Sequence, residues 1–262
     1  MDQLERRLFL INYLIKENPA HGEVDIPEDF AAQHKLLRGL MNVREAGPVS
    51  EEFLQVQDEY LTRELQAKGI TRLEQLTPIQ PGLYLWQGDI TTLAVDAIVN
   101  AANSELTGCY YPNHGCIDNA IHTYTGVALR NLCADMMAEQ GHLEPTGQAK
   151  ITPGFNLPAK YILHTVGPIV RGALSAEDEA SLAQCYRACL QLAAVHGLES
   201  IAFCCISTGE FGFPNARAAE IAVATVKDFI RTSSSIKHVI FNVFKDVDLM
   251  LYEKVLATDA AL

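Results

Sequence analysis

The sequence lacks any long apolar run. None of its hydrophobic stretches approaches the roughly 20 consecutive residues that a membrane-spanning helix needs. The N-terminal residues include Asp2 and Glu5, where a secretory signal would carry only basic side chains. We therefore expect a cytoplasmic protein with no membrane partner.

Basic residues are also scarce. The 262 residues include 20 Lys and Arg against 32 Asp and Glu, which gives a net charge of -12. Binding to a phosphate backbone depends on clustered cations, so this charge argues against a nucleic-acid partner. Hydrophobic residues make up 48% of the chain, which is enough for a sizeable core and excludes a disordered protein.

The cysteines do not indicate a disulfide framework. Their number, seven, is odd. Five of them lie in stretches with the pattern of a buried helix or strand, where a free cysteine behaves as a small apolar residue. These five are Cys133, Cys185, Cys189, Cys204 and Cys205.

Two segments differ in their hydrophobic pattern. Residues 1–76 show helical periodicity alone and predict three helices, the second after Pro27 and the third between Ser50 and Gly69. The apolar residues that mark the first helix are Leu4, Leu8, Ile11 and Ile15. From Leu83 onward, short apolar runs alternate with longer amphipathic ones, which is typical of an α/β domain. We therefore predict a helical cap over residues 1–76 and an α/β domain over residues 77–262.

The elements of the α/β domain follow from the same pattern. The predicted strands cover residues 83–86, 97–100, 148–152, 161–165, 200–206 and 238–244. The predicted helices cover residues 117–137, 175–195, 215–231 and 248–257. Ligands of open α/β sheets bind beyond the carboxyl ends of the strands, so the loops that follow these strands are the candidate site.

The first of these loops is the turn after Trp86. Gly88 lets the backbone turn closely, and Asp89 together with the exposed amide of Ile90 suits the edge of a purine. A plain turn is the alternative, because Gly-Asp turns are common.

The second loop, residues 207–213, is called the phosphate loop below. Its glycines and hydroxyl residues can form a nest of backbone amides that holds a diphosphate, with two phenylalanines covering the ligand. The chain has neither a Walker sequence nor a Gly-x-Gly-x-x-Gly fingerprint. The loop residues are Ser207, Thr208, Gly209, Glu210, Phe211, Gly212 and Phe213.

The third loop, residues 108–116, is called the metal loop. Cys109, His114 and Cys116 lie close together in a stretch rich in Gly, Pro and Asn. Two thiolates and one imidazole form a ligand set that selects zinc, and three protein ligands without a fourth are typical of a catalytic zinc with an open position. The alternatives are a structural zinc completed by His122, or three unrelated loop residues.

Asp118 opens the helix predicted from residue 117. It precedes His122 by four positions, so the two side chains share a helix face. An acidic residue that merely interacts with the helix dipole is the alternative. We expect His122 to be a hydrogen-bonded packing residue and His164, within an apolar strand, to be structural.

Six motifs occur in order between residues 83 and 245. They are the runs 88–91, 95–103, 117–122, 147–149, 160–168 and 207–214. Together they resemble a macrodomain of the MacroD type. The resemblance implies a three-layer α/β/α sandwich on a mixed six-stranded sheet, and a protein that binds ADP-ribose or removes it from other proteins.

One difference from the usual family sequence indicates a particular subclass of macrodomain. Usual members have a run of glycines before the segment that resembles Ile117-Asp118-Asn119, whereas this chain has the metal loop. In this the chain is similar to the zinc-dependent subclass of microbial macrodomains, which also tends to have a helical N-terminal extension. Similar enzymes are encoded beside class M sirtuins and remove ADP-ribose from lipoyl-carrier proteins.

The resemblance also implies how ADP-ribose is held. Asp89 and the amide of Ile90 would bind the adenine, and Asn242 or Phe244 would close that end of the site. The phosphate loop would cradle the diphosphate.

At the other end of the ligand, the resemblance implies roles for two residues. Asn103 would form a hydrogen bond with the distal ribose, and Asp118 would orient or activate the attacking water. We therefore expect a zinc-dependent hydrolase that releases mono-ADP-ribose from an acidic side chain of a modified protein. One alternative is a reader that binds ADP-ribose without turnover. Another, a poly(A)- or RNA-binding macrodomain, is disfavoured by the charge.

Overall fold

Three helices form the N-terminal segment, which confirms that part of the prediction. The computed structural model describes residues 1–19, 22, 24–232 and 235–258. It places α1 at Gln3–Glu17, α2 at Phe30–Val43 and α3 at Glu51–Lys68.

Each of these helices begins at a side chain that accepts a hydrogen bond from a backbone amide of the first turn. The capping residues are Asp2, Asp29 and Ser50. Because Asp29 caps α2, that helix begins at Phe30, and Pro27 lies ahead of it. Gly69 ends α3 with a φ of 88°, a conformation that glycine adopts without strain.

Nine strands and five further α-helices follow α3 in the described part of the chain. The strands are β1 (Thr71–Arg72), β2 (Pro78–Gln80), β3 (Leu83–Gln87), β4 (Leu93–Ala94), β5 (Ala97–Ala101), β6 (Ala149–Pro153), β7 (Tyr161–Thr165), β8 (Ser200–Phe203) and β9 (His238–Val243). The helices are α4 (Ile117–Thr125), α5 (Val127–Gln140), α6 (Ala176–Val195), α7 (Asn215–Thr232) and α8 (Asp246–Thr258).

Seven of the strands form one mixed sheet in the order β2-β3-β9-β8-β5-β7-β6. The neighbours from β3 through β7 pair in parallel, while β2 and β6 pair antiparallel at the two edges. Helices α6, α7 and α8 pack side by side, and α4 packs on β5 and against α2 and α3. The α/β sandwich is confirmed.

The sheet has one strand more than the six that were expected. The additional strand, β2, has only three residues, begins with Pro78 and is exposed or half-exposed along its length. Three residues that begin with proline are too few to show the alternation of apolar and polar residues that predicts a strand, so β2 was not predicted. The two-residue strand β1 pairs with β4 and lies within the segment that was predicted to be purely helical. It is too short to show a strand pattern, so it was not predicted either.

Two predicted elements are shorter than expected. The single helix predicted over residues 117–137 is divided into α4 and α5 at Gly126, whose φ is 92°. A Cβ at that position would lie 2.5 Å from the side-chain nitrogen of Gln57, so α3 approaches the break closely. The strand predicted over residues 200–206 ends at Phe203, because the chain then turns into the phosphate loop.

The N-terminal helices share one apolar cluster with the sheet. Leu10, Leu37 and Phe53 of α1, α2 and α3 belong to the same group of buried side chains as Ile98 and Phe241 of the sheet. The domain boundary near residue 76 stays a prediction, and it falls just before β2. Within the described residues, no helix is both long and apolar enough to cross a membrane.

Candidate active site at the carboxyl edge of the sheet

The carboxyl ends of β3, β5, β8 and β9 lie at one edge of the sheet, because these neighbouring strands run parallel. The turn containing Asp89 follows β3, and Asn103 comes two residues after β5. The phosphate loop follows β8, and Phe244 follows β9. The structure thus brings the predicted ligand-binding loops to one edge, as strand topology requires.

Asp89 lies in a turn that its own side chain stabilises. One carboxylate oxygen accepts hydrogen bonds from the Thr91 amide at 3.0 Å and the Thr91 hydroxyl at 2.6 Å, and the other accepts from Lys68 Nζ at 2.7 Å. Partial burial would by itself raise the pKa of Asp89, but the bonds from Lys68 and Thr91 outweigh burial and hold the pKa below its ordinary value. Asp89 is therefore an ionised acceptor. The neighbouring Ile90 is buried, so the expectation that its amide is exposed is wrong.

The two candidates for closing this end of the site differ in their surroundings. Asn242 is buried, and its side-chain nitrogen donates to the carbonyl of Gly88 at 2.9 Å, which fixes the turn. Phe244 is 76% exposed. The Phe244 ring is thus the one available to cover a ligand at this rim, and Asn242 supports the backbone beneath it.

The phosphate loop is closed by its own backbone. The Phe213 amide donates to the Ser207 carbonyl at 2.9 Å, and the Gly212 amide donates to the Gly209 carbonyl at 3.0 Å. Ser207 has a φ of 64°, an uncommon conformation for a residue other than glycine. Phe213 is 1% exposed, so its side chain anchors the loop in the core and does not cover a ligand as the sequence suggested.

The amides at the tip of the phosphate loop have no acceptor among the described residues. None of the backbone amides of Gly209, Glu210 and Phe211 donates to a carbonyl or a side chain there. Thr208 is half-buried, and its hydroxyl donates to the Cys205 carbonyl at 3.0 Å. Unpaired amides that follow one another in a turn form a site suited to an anion such as a diphosphate.

The metal loop brings its three candidate ligands together. The ligand atoms of Cys109, His114 and Cys116 all lie within 4.8 Å of one another, and no further His, Cys, Asp or Glu of the described chain joins the group. Cys109 Sγ and His114 Nδ1 are 3.6 Å apart. Bonds of about 2.3 Å from zinc to sulfur and about 2.0 Å to nitrogen in a tetrahedral site predict a similar separation.

His114 also contacts the phosphate loop. Its Nε2 lies 3.6 Å from Glu210 Oε1, so the nitrogen that faces away from Cys109 faces a carboxylate. This distance is too long for the hydrogen bond by which a carboxylate orients a ligating histidine, so Glu210 lies beside the ring without fixing its orientation. Burial raises the pKa of the Cys116 thiol to about 12 despite a hydrogen bond from the Asn119 amide, and a bound cation would lower it by stabilising the thiolate. The three residues therefore fit a zinc ion in both chemistry and spacing.

Asp118 lies in the first turn of α4 and is 5% exposed. Its Oδ1 accepts a hydrogen bond from Asn100 Nδ2 at 2.8 Å. Burial raises the pKa of Asp118 to about 6, against the opposing effects of Asn100 and the charge of Arg130. A carboxyl group with this pKa exchanges protons near neutral pH, as a general base must.

His122 does not complete the metal site. Its Nε2 is 3.6 Å from Asp118 Oδ1, which is too long for a hydrogen bond, and both ring nitrogens are buried without a partner among the described residues. Burial, together with His164 and Arg130, lowers the pKa of His122 well below its ordinary value. His122 is thus a buried packing residue, as expected, although neither ring nitrogen lies within hydrogen-bond geometry of a described partner.

A buried chain of polar side chains, which sequence reasoning missed, holds Asp118. Asn100 Nδ2 contacts both Asp118 and His164 Nδ1, the latter at 3.2 Å, and His164 Nε2 is 2.9 Å from the Thr152 hydroxyl. Asn100 therefore donates to His164 Nδ1, and His164 Nε2 carries the proton. The sequence did contain a signal for this chain, because Asn100 and His164 are polar residues within otherwise apolar strands.

Acid should destabilise the fold through His164. Burial lowers the pKa of this histidine to about 4 from 6.5, so below pH 6.5 the unfolded chain binds a proton that the folded protein excludes. This group should therefore lower the free energy of unfolding by about 2 kcal/mol between pH 7 and about pH 5. Urea denaturation of the wild type and His164→Asn at both pH values measures the difference. The variant should show a smaller loss, and His196→Asn, at an exposed position, should behave as the wild type. An equal loss in His164→Asn would contradict the assignment.

Asn103 is engaged within its own loop. Its side-chain nitrogen donates to the Gly108 carbonyl at 3.0 Å, and its side-chain oxygen accepts from the Glu105 amide at 3.0 Å. Asn103 therefore fixes the start of the metal loop. One hydrogen of its amide group remains for a ligand, so its predicted contact with a ribose stays a prediction.

Comparison with known proteins identifies the class to which this fold and site belong. The family model for the Macro domain matches residues 99–222. A protein-ADP-ribose hydrolase from Treponema medium is 56% identical over 261 residues, covering 98% of this chain and 100% of the relative. The chain belongs to the macrodomain family.

Two further proteins extend the comparison. A probable bifunctional ADP-ribose hydrolase/ADP-ribosyltransferase from Fusarium oxysporum is 44% identical over 247 residues, covering 86% of this chain and 41% of the relative. The structure of a Trypanosoma brucei macrodomain in complex with ADP-ribose is similar, with a TM-score of 0.65 and 30% identity, over 81% of this chain and 97% of that one.

Proposed function

We propose that the protein is a zinc-dependent protein-ADP-ribose hydrolase that releases mono-ADP-ribose from an acidic side chain of a modified protein. The observation that carries the proposal is the convergence of Cys109, His114 and Cys116, the last of them two residues before Asp118, with His114 Nε2 3.6 Å from Glu210 of the phosphate loop. The names of the relatives that match most of the chain support the hydrolase activity. A reader needs neither a three-ligand metal loop nor a buried carboxyl group at the reacting end.

The residues suggest how the reaction proceeds. Asp89 would accept a hydrogen bond from the adenine, and the free amides of the phosphate loop would hold the diphosphate, which places the distal ribose near Asp118 and the metal loop. Asp118 would accept a proton from water as the water oxygen bonds to the anomeric carbon, while the bond from that carbon to the side-chain oxygen breaks and a carboxylate leaves. Zinc, when bound, supplies a Lewis acid at this end.

Zinc content and hydrolysis, measured on one preparation, test the proposal. We expect about one zinc per chain, and we expect release of ADP-ribose from a modified protein to stop after chelation and to return when zinc is restored. Binding of free ADP-ribose by the chelated protein would show that the fold persists. Binding without release at any zinc level would identify a reader, and release that a chelator leaves unchanged would identify a hydrolase that needs no zinc.

The proposed substrate is a lipoyl-carrier protein that a class M sirtuin has modified. The Fusarium relative is a probable bifunctional ADP-ribose hydrolase/ADP-ribosyltransferase, which supports a pairing of the hydrolase with a transferase. Release from a modified lipoyl-carrier protein should be faster than release from an unrelated protein modified on an acidic side chain, and equal rates would contradict this choice. The cytoplasm is the proposed location, and the seven free cysteines favour a reducing compartment.

A glutamate at position 209 should block the ligand without harming the fold. A Cβ added to Gly209 would meet no atom within 4 Å, so the side chain would extend into the space assigned to the diphosphate and add a like charge there. Gly209→Glu should weaken ADP-ribose binding by more than ~2 kcal/mol, about 30-fold. Calorimetry measures the affinity.

A matched control isolates that effect. Gly47 also has no atom within 4 Å of an added Cβ, and it lies in the N-terminal segment. Gly47→Glu adds the same charge to the protein and should keep the wild-type affinity. Unchanged affinity in Gly209→Glu would remove the phosphate loop from the site.

A further inference from the structure

Helix α2 of the N-terminal segment contacts the metal loop directly. The guanidinium of Arg38 donates from Nη2 to the His114 carbonyl at 3.0 Å and to Asn119 Oδ1 at 2.8 Å, and its Nε is 3.2 Å from the same oxygen. One planar side chain thus joins a candidate metal ligand to the first turn of α4. A fork of donors in fixed geometry is specific to arginine.

Asn119, which Arg38 contacts, also forms hydrogen bonds with the N-terminal half of the metal loop. It is fully buried, and its side-chain nitrogen donates to the Tyr111 carbonyl at 3.0 Å and lies 3.5 Å from the Cys109 carbonyl. Arg38 occupies the side-chain oxygen of Asn119, so it fixes which way the amide group faces. Arg38 and Asn119 together hold the backbone at Cys109 and His114, two of the three candidate ligands.

A second side chain of α2 holds the middle of the loop. Asn42 is buried, its side-chain oxygen accepts from the Asn113 amide at 2.9 Å, and its nitrogen donates to the Thr123 hydroxyl at 2.9 Å. Asn113 has a φ of 57°. A Cβ added to Gly39 of α2 would lie 3.0 Å from the side-chain nitrogen of Asn113. A larger residue at position 39 would therefore press on the loop.

The metal loop holds itself together only weakly. Between residues 108 and 116 of the described chain, one backbone hydrogen bond connects two loop residues, from the His114 amide to the Tyr111 carbonyl at 3.2 Å. The loop lies at the surface, with Tyr111 70% exposed. Its ligand geometry therefore depends on groups outside the loop.

We infer that Arg38 is a positioning residue for the metal site, and that α2 pre-organises Cys109, His114 and Cys116 for binding. This inference rests on the proposed zinc site and adds residues from outside the metal loop to it. Groups that orient metal ligands typically change metal affinity or activity 10- to 100-fold when they are mutated. The N-terminal segment is then part of the active site, although none of its described residues joins the group of candidate ligands.

The rate at which zinc leaves the protein tests the inference. Arg38→Met keeps the length and apolar stem of the side chain and removes the donors to His114 and Asn119. With an excess of a chromophoric chelator, zinc should leave this variant ~10- to 100-fold faster than it leaves the wild type. The visible spectrum of the cobalt-substituted variant should also depart from the tetrahedral pattern of the wild type, a change that loss of stability alone would not produce.

Two further variants separate the positioning role from general stability. Arg6→Met removes an arginine that donates two hydrogen bonds to Glu59, also within the N-terminal segment and away from the metal loop, and should release zinc at the wild-type rate. Arg38→Lys keeps the charge without the fork, so its release rate should fall between those of the wild type and Arg38→Met. It serves as the test variant if Arg38→Met does not fold.

The possible failures are distinguishable. Wild-type release rates in both Arg38 variants would overturn the inference and leave the proposed function standing. Equal acceleration in Arg6→Met would overturn it as well, because the effect would then come from the stability of the segment. A wild-type chain that binds no zinc through Cys109, His114 and Cys116 would overturn both the inference and the zinc dependence.

Discussion

Cys116→Ala should lose zinc and turnover together, with ADP-ribose release falling by at least ~100-fold, which corresponds to a few kcal/mol of transition-state stabilisation. The substitution leaves Cys109 and His114 as the only ligands of the group. Two protein ligands are too few for a stable zinc site. Zinc content, ADP-ribose affinity and hydrolysis should be measured on the same preparation, and some ligand affinity should remain.

Cys116 has a second role that the experiment must separate. Its sulfur accepts a hydrogen bond from the Asn119 amide at 3.4 Å and thereby caps α4, so alanine also removes a cap, at a cost of about 1 kcal/mol. Cys116→Ser keeps an acceptor for the cap but replaces the soft ligand. Cys116→Ser should lose zinc and turnover as Cys116→Ala does, but its free energy of unfolding should fall less.

The control for both variants is Cys133→Ala, which removes a buried thiol of α5 outside the metal loop. It should keep zinc and turnover even if the protein becomes less stable. Full activity in a metal-free Cys116 variant would contradict a catalytic zinc. Loss of ADP-ribose binding along with unfolding of the metal loop would instead indicate a structural zinc.

Asp118→Asn should lower turnover by ~10²- to 10⁴-fold, which is the range for removal of a general base, while zinc and ADP-ribose remain bound. Asparagine has nearly the same shape, and its side-chain oxygen can still accept the hydrogen bond from Asn100. The substitution therefore removes the ability to take up a proton and leaves the geometry of α4 in place. Single-turnover release from a modified protein measures the chemical step directly.

Asp248 provides a matched control for Asp118. It too is a buried aspartate in the first turn of a helix, and it accepts a hydrogen bond from an asparagine side chain, that of Asn215, at 2.6 Å. Asp248→Asn should keep the wild-type rate. An Asp118→Asn variant that is as active as Asp248→Asn would assign Asp118 the role of an ordinary helix acid.

Local pattern was sufficient for most elements of the fold. Ser50 and Gly69 mark the ends of α3 because capping and a positive φ act within a few residues of the chain. Each of the six predicted strands corresponds to a strand of the sheet, including β6 at its edge, which is largely half-exposed. Gly126 shows the limit of this reasoning. A glycine inside an apparently continuous helix does not reveal its φ, and the nearby Gln57 belongs to another helix.

The candidate ligands could likewise be identified from the chain itself. Cys109, His114 and Cys116 lie within eight residues of the chain, so their residue types and spacing alone predict a zinc site. Asp118 follows two positions later. What the sequence left open was whether His122 completes the metal site, and the structure groups the three ligands without it.

The sequence by itself determined most of the helices and strands and the residue types that could bind a metal and a diphosphate, because these depend on short-range periodicity and local loop chemistry. Only the tertiary structure decided which groups support them. Arg38 and Asn119 are 81 positions apart, and Lys68 and Asp89 are 21 positions apart. Each of these residues looks like an ordinary polar residue in its own segment. Its contacts form because α2 and α3 pack against α4, and α3 also packs against the turn that follows β3.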